Sequence, residues 1–385
     1  MIEMTAAQLK AKFRELFPAQ PVLYQAPGRV NLIGEHTDFN GCFVLPAAIE
    51  FVTRAAINPR QDRKLVVSSV NYQEQVEFSL DALPPQRSGH WSDYVVGVLR
   101  QLELAGCPLI GANLLLQGNI PPGAGLSSSA SVEVVTAFAL LDQAGLAIDL
   151  KQLALLCQQA ENEFVGARCG VMDQFISSHG RAHTALLLDC RSLEFHYLPL
   201  PEDVRLVICN TLVKHSIAGG EYNLRRAECE AAVSLLQKRL PALQSLREVT
   251  EQDLAAHRDL LPDKIWRRCR HVISENGRVL QAATALEQND LATFGKLMQE
   301  SHQSLRDDFA VSCAELDQLV KIAAGAAGVY GSRMTGGGFG GCTINLVKAE
   351  FVAQFKQKVL VEFGRAFKYE PEVYVCSAVG GVGPV

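Results

Sequence analysis

No apolar run in this sequence reaches the ~18 residues needed to cross a bilayer. No segment carries the basic excess of a nucleic-acid-binding surface either: the formal net charge is −5 over 385 residues. The basic pairs Arg225-Arg226 and Arg267-Arg268 sit among acidic residues and read as solvated helix faces. Aromatic residues are few at 7% and charged residues make up 20%, while hydrophobic residues reach 48%, a balance that excludes a disordered chain. Eleven cysteines include no C-x-x-C pair, which fits neither a disulfide framework nor a zinc cluster. Free thiols, most of them small buried hydrophobes, are expected instead. Residues 1–17 place Leu9, Phe13, Leu16 and Phe17 on one helical stripe, without the apolar centre of a secretory signal. The expectation is a cytoplasmic protein with no membrane and no nucleic-acid partner.

Two familiar nucleotide motifs are also missing. There is no G-x-x-x-x-G-K-[ST], and Gly123-Ala124-Gly125-Leu126-Ser127-Ser128 lacks the third glycine of the dinucleotide fingerprint. What stands there is GNIPPGAGLSSSASVEVV, residues 118–135, between the strand-like ANLLLQGNI and the apolar SVEVVTAFALLDQAGL. A strand, a loop and a helix in that order aim backbone N–H groups and a helix dipole at an anion. Gly123 and Gly125 permit close backbone approach. Ser127, Ser128 and Ser129 offer hydroxyls to the helix cap, to phosphate or to a metal. By itself the segment also admits the reading of a capped strand-to-helix turn. A second glycine cluster, GSRMTGGGFGGCTINLV at residues 331–347, reads as backbone in close approach to something, or as a hinge or bulge.

A third segment, APGRVNLIGEHTDFNGCFVLP at residues 26–46, gathers Arg29, Asn31, Glu35, His36, Thr37, Asp38 and Asn40 between two strand-like runs. Alternating acceptors and donors of this kind suit the hydroxyls of a sugar, because a missing hydroxyl would leave buried polar groups unpaired. A solvated hairpin is the plain alternative. His36 lacks the helical spacing of a zinc motif.

Along the chain, strands are predicted over 21–36, 44–57, 63–71, 75–80 and 112–120, and helices over 90–106, 129–145 and 149–166. Residues 183–200 read as a hairpin. A proline-containing break at 199–201 divides the chain into domains of residues 1–200 and 201–385, the first possibly completed by the C-terminal strand. The second half predicts helices over 221–240, 263–288, 290–309 and 350–363, with strands over 200–211, 342–347 and 372–379. Irregular alternation predicts an α+β class rather than a doubly wound sheet. Periodicity puts Glu161 and Glu163 on opposite edges of a buried helix face and does not choose between them. Asp173 falls in a Gly/Met/Phe-rich turn.

The three segments together resemble the GHMP small-molecule kinases, and within them the galactokinase family. The resemblance rests on GRVNLIGEHTDFN at 28–40, PPGAGLSSSAS at 121–131 and MTGGGFGG at 334–341, and extends through AENEFVG, CGVMDQF, EYNLRR and SLRDDF. It implies a two-domain fold, with an N-terminal ribosomal-S5-like mixed domain and a C-terminal ferredoxin-like αβ domain with added helices. It also implies transfer of the γ-phosphate of ATP to O1 of galactose with Mg²⁺, by a monomer. Carried over by position, Asp173 and Arg29 are the implied catalytic pair. Glu35, His36, Thr37, Asp38, Gly170 and Tyr222 would hold the sugar. Gly123, Ala124, Gly125, Leu126, Ser127, Ser128 and Ser129 would wrap the phosphates, with Ser69, Trp91 and Tyr94 near the nucleoside. Ser129 and Glu161 would hold the metal. A guanidinium beside a carboxylate makes it a weaker base, leaving open whether Asp173 acts as base or orienting group. Two other readings stand beside it: a binding-only sugar sensor of the same fold, against which the intact serine loop with Asp173 and Arg29 argues, and an N-acetylgalactosamine kinase, which shares most motifs. Phe39, Cys42 and Gly220 depart from the commonest family residues.

Overall fold

The computed structural model describes residues 4–213 and 218–385. Its first half contains α1 (Ala6–Leu16), β1 (Val22–Asn31), β2 (Phe43–Val44), β3 (Pro46–Pro59), β4 (Lys64–Ser69) and β5 (Glu74–Ser79). There follow α2 (Asp93–Leu104), β6 (Ala112–Gly118), α3 (Ser128–Gln143), α4 (Leu150–Gln159), α5 (Met172–His179), β7 (Thr184–Asp189) and β8 (Phe195–Pro199). The second half contains β9 (Val204–Asn210), α6 (Ala218–Leu236), α7 (Glu251–Ala256), α8 (Asp263–Glu287), α9 (Leu291–Ser304) and α10 (Ala314–Ala324). It closes with β10 (Val329–Thr335), β11 (Cys342–Lys348), α11 (Val352–Phe367), β12 (Glu372–Cys376) and β13 (Gly383–Pro384). Residues 1–3 of the stripe-bearing N-terminal stretch lie outside the described residues; the rest forms α1, started by a Thr5–Gln8 capping box.

The strands form three sheets: a six-stranded one ordered β13-β1-β3-β6-β4-β5, a four-stranded one ordered β10-β11-β9-β12, and a three-stranded one ordered β2-β7-β8. In the largest sheet only β4 and β6 run parallel. This mixed order is an α+β architecture. The chain's end returns to the first sheet, where Tyr24 pairs with Pro384.

Helix α3 is buried on almost every side against β1 and β3, as its apolar sequence requires, with Val134, Val135, Ala137 and Ala139 in the core. Yet Glu133 is fully buried within it. All eleven cysteines are free thiols, seven of them buried.

Several features differ from the sequence reading. Asp173 lies in the first turn of α5, not in a loop. The glycine-rich segment starts as strand β10, and a helix the sequence reading did not include, α10, precedes it with Leu316, Leu319, Val320 and Ala323 on its buried stripe. Helix α4 ends in a π-helical turn over Ala160–Val165, which shifts the face presented after Gln159. That turn decides between the two glutamates: Glu161 is buried and Glu163 exposed.

Candidate active site

The register of β1 on β3 shifts between Pro27 and Arg29, where Gly28 alone stands opposite the three β3 residues between Ala48 and Val52. A Cβ at Gly28 would stand 2.6 Å from the Leu126 carbonyl, so glycine is needed for β1 to reach the phosphate-type loop. Just past this irregularity Arg29 reaches α5. There Arg29 Nε donates to Asp173 Oδ1 at 2.7 Å and Nη2 to Asp173 Oδ2 at 2.7 Å, while Nη1 donates to the Gly125 carbonyl at 2.6 Å. The Ser127 hydroxyl also donates to Asp173 Oδ2. A planar guanidinium thus fixes a carboxylate in two dimensions and ties it to the loop at 123–129.

That loop holds Gly123 and Gly125 at φ 73° each, with Ser127 left-handed at φ 61° as N-cap of α3. A strained non-glycine residue at a cavity wall marks a place where the fold overrides local preference. The second glycine cluster packs against the first. A Cβ at Gly336 would lie 2.7 Å from the Gly125 carbonyl, and one at Gly341 would lie 3.1 Å from the Ala124 carbonyl. Backbone does approach something closely here, and that something is the other loop.

A cavity of about 440 Å³ lies over these groups, lined among others by Arg29, Glu35, His36, Asp38, Ser127, Ser129, Glu161, Asp173 and Tyr222. Glu35 is held by Asn31 Nδ2 at 2.7 Å, by Arg333 Nη1 at 2.9 Å and by the Gly336 amide. His36, left-handed at φ 60°, sits between Phe309 and Tyr222, with ring centroids 4.8 and 5.3 Å away. Its Nε2 lies 3.2 Å from the Gly337 carbonyl, which can only accept, so Nε2 carries the proton. Nδ1 is then a buried acceptor with no partner among the described residues. Burial pushes His36 down to about 3, so the ring is neutral. Asp38 is pushed up to about 7 by burial and then by the nearby Asp173. A Cβ on Gly170 would stand 2.1 Å from Asp38 Oδ2, so only glycine leaves that carboxyl its place. Phe39 packs edge-on to Tyr222 at 5.6 Å.

Thr37 differs from its neighbours. It is fully buried, its hydroxyl facing the Gly34 and Phe43 carbonyls at 2.8 and 3.0 Å, and it does not line the cavity. Its position corrects the expectation of a sugar contact: the side chain closes the turn that carries Glu35 and His36.

At the other end, Ser129 is hydrogen-bonded to Glu161, which is pushed up to about 7 by burial and then by Asp173. Gln174 Nε2 donates to Glu161 Oε2 at 2.6 Å and to Glu133 Oε2 at 3.1 Å. A hydroxyl and a carboxylate together at the cavity wall are hard oxygen donors of the kind Mg²⁺ takes alongside phosphate. A carboxylate destabilised by burial is one a cation would relieve, so these residues fit the metal.

Ser69, Trp91 and Tyr94 line an adjoining cavity of about 300 Å³, whose wall also includes Ser128 and Ser129. There Tyr72 stacks on Trp91 at 5.5 Å and 6° between planes. The sequence reading missed Tyr72, Gln174, Glu133 and Arg333. Tyr72 stands beside Asn71 in a turn between predicted strands, a weak signal; Glu133 looks like an ordinary helix residue, while Gln174 adjoins Asp173 and Arg333 lies inside the second glycine cluster, so their neighbourhoods were flagged and they were not.

Two family descriptions match the fold: GHMP kinases N terminal domain over residues 93–181 and GHMP kinases C terminal over residues 282–365. Mevalonate kinase from Methanococcus jannaschii, at 18% identity, shares the fold with a TM-score of 0.66, covering 94% of this chain and 99% of that one. A loop of backbone amides, a buried arginine gripping a half-buried aspartate and this architecture define a GHMP small-molecule kinase.

The galactokinase galactose-binding signature matches residues 11–59. A galactokinase of Roseiflexus sp. is 46% identical over 384 residues, 99% of this chain and 98% of that protein. One from Chloroflexus aggregans is 47% identical over 378 residues, 97% of this chain and 96% of that one. The structure of Lactococcus lactis galactokinase complexed with galactose superimposes with a TM-score of 0.95 at 37% identity, covering 98% of this chain and 99% of that one. This chain belongs to the galactokinase family, and it is an ATP-dependent sugar kinase.

Proposed function

We propose that the enzyme transfers the γ-phosphate of ATP to the anomeric O1 of α-D-galactose, giving galactose 1-phosphate and ADP. The observation that carries this reading is the Arg29–Asp173 pair, whose partners stand 144 residues apart and whose guanidinium also grips the Gly125 carbonyl. A carboxylate fixed to the phosphate loop itself is suited to presenting an acceptor hydroxyl in line with a phosphoryl group.

In this reading the sugar lies against Glu35, His36, Asp38 and Tyr222. The unpartnered Nδ1 of His36 accepts from a hydroxyl, and Gly170 leaves room for Asp38. The amides from Gly123 to Ser129, with Ala124 and Leu126 as buried anchors of the loop, hold the phosphates, and Ser69, Trp91 and Tyr94 border the nucleoside. Asp173 takes the O1 proton as the O1–P bond forms and the bond to ADP breaks. In a loose transition state little deprotonation is needed beforehand, so orientation of O1 by Asp173 and Arg29 carries much of its contribution. Ser129 and Glu161 would hold Mg²⁺, which when bound supplies neutralisation of phosphate charge. A cytoplasmic monomer suffices for this chemistry; among the described residues no helix is long and apolar enough to cross a membrane.

The test is ADP release with Mg-ATP across a sugar panel containing galactose, glucose and the 2-acetamido analogue of galactose. Galactose should give the highest kcat/KM. Preference for the acetamido sugar would reassign the enzyme to that substrate, and binding without turnover would make it a sensor.

A further inference from the structure

The sugar-facing turn is gripped from behind by residues that touch neither cavity. Arg333, on β10, is fully buried. Its Nη1 donates to Glu35 Oε2 and to the Asn31 carbonyl, both at 2.9 Å. Its Nε donates to Ser301 Oγ at 3.2 Å, and Ser301 in turn donates to Glu275 Oε1 at 2.5 Å. The same Glu275 oxygen accepts from the Gly34 amide at 2.9 Å. Arg333 and Glu275 therefore hold the carbonyl before the turn, an amide within it and the carboxylate that it presents. A second strut runs parallel: His271 Nε2 donates to the Glu35 carbonyl at 3.0 Å, with Ser304 on Nδ1 at 3.0 Å.

We propose that Arg333, linked through Ser301 to Glu275, is a positioning residue that aims Glu35 at the sugar and so sets affinity for the sugar substrate rather than for ATP. The inference rests on the reading of Glu35 as a sugar contact. Its physical basis is geometry and charge. Glu35 is 2% exposed, and a carboxylate so buried stays ionised only beside a cation. Burial raises Glu35 above the ordinary carboxylate range, and Arg333 is the largest of the influences that oppose that rise. Arg29, the other nearby guanidinium, is engaged by Asp173. Two nitrogens of one planar fork hold separate elements, α9 through Ser301 and the sugar turn through Glu35. A lysine in place of Arg333 would keep the charge but satisfy these partners from a single point.

Two variants test this. Arg333→Lys should raise the KM for galactose on the order of 10- to 100-fold, as expected for loss of hydrogen bonds to a buried charge, with the KM for ATP unchanged within about threefold. Ser301→Ala removes the link without altering any charge and should raise the galactose KM on the order of three- to tenfold, again without moving the ATP value. Direct titration of galactose by calorimetry without nucleotide should show the same losses in Kd. Circular dichroism establishes which variants are folded; if Arg333→Lys does not fold, Ser301→Ala decides. A folded variant with wild-type galactose KM and Kd, or with galactose and ATP constants shifted equally, overturns the proposal. If the wild-type enzyme itself neither binds nor phosphorylates galactose, it is the functional reading that fails.

Discussion

The two ends of the cavity are built from different materials. The end proposed for the nucleotide is mostly main chain: a continuous run from Gly123 to Ser129, shaped by two left-handed glycines and one left-handed serine, and braced by a second run of glycines. The end proposed for the sugar is mostly side chain, drawn from β1, the turn after it, α6, α8, α9 and β10. A phosphate presents the same oxygens whatever it is attached to, so repeated backbone amides suffice. A hexose differs from its epimers only in where hydroxyls point, and discrimination needs individually placed groups. The Arg29–Asp173 pair joins the two ends, since one guanidinium touches both.

If that division holds, substitutions should separate into those that move the galactose KM and those that move the ATP KM. The largest effect belongs to the joint between the ends. Asp173→Asn is expected to lower kcat on the order of 10²- to 10⁴-fold. Retention of most turnover, with both substrates still bound, would remove Asp173 from the chemistry.

Next comes Gly170→Ala. Its added methyl would have to displace Asp38, and the galactose KM should rise on the order of tenfold or more as a polar partner is lost. Steady-state kinetics with each substrate varied in turn would show it; an equal rise in the ATP KM would blur the proposed division.

At the opposite end, Trp91→Ala removes the ring that stacks on Tyr72 and should raise the ATP KM roughly five- to tenfold, about the size of one aromatic pair contact. The galactose KM should not change. A shift in galactose alone would mean that the adjoining cavity has been assigned to the wrong substrate.

The smallest effect is on stability without ligands. Asp38 is a carboxyl raised from its ordinary range to about 7 in the folded protein. Its contribution is therefore full below about pH 4 and is lost as pH rises through about 7. Asp38→Asn abolishes that loss, so the Tm of the variant relative to wild type should climb from pH 5 to pH 8. The comparison between the two proteins cancels the opposing titration of His36, which burial depresses to about 3. A constant difference across this range would show that Asp38 is not held as described.

The second glycine cluster shows where sequence reasoning reached its limit. Its composition left close backbone approach and a hinge or bulge both open, and the structure shows an approach to the first loop: a side chain at Gly336 would collide with the Gly125 carbonyl, while Gly336 and Gly337 also line the cavity. Glu161 is a similar case. Helical period left it level with Glu163 until the π-helical turn after α4 carried one inward and the other out to Gln101. Thr37 is the reverse, a polar residue in a polar row whose hydroxyl is taken up by its own turn.

The sequence by itself determined the pieces whose parts are neighbours in the chain. These are the loop at 123–129, the turn at 35–38 with its polar row, the buried helix behind the loop and the α+β class. Local backbone preference and hydrophobic period are written in adjacent residues and can be read there. Only the tertiary structure decided what meets across long stretches of chain: that Arg29 grips Asp173, that Glu161 and not Glu163 stands by Ser129, and that Arg333 and Glu275 stand behind Glu35. Those contacts arise from the packing of separate elements into one low-dielectric interior, where a buried charge must find its partner wherever in the chain that partner lies.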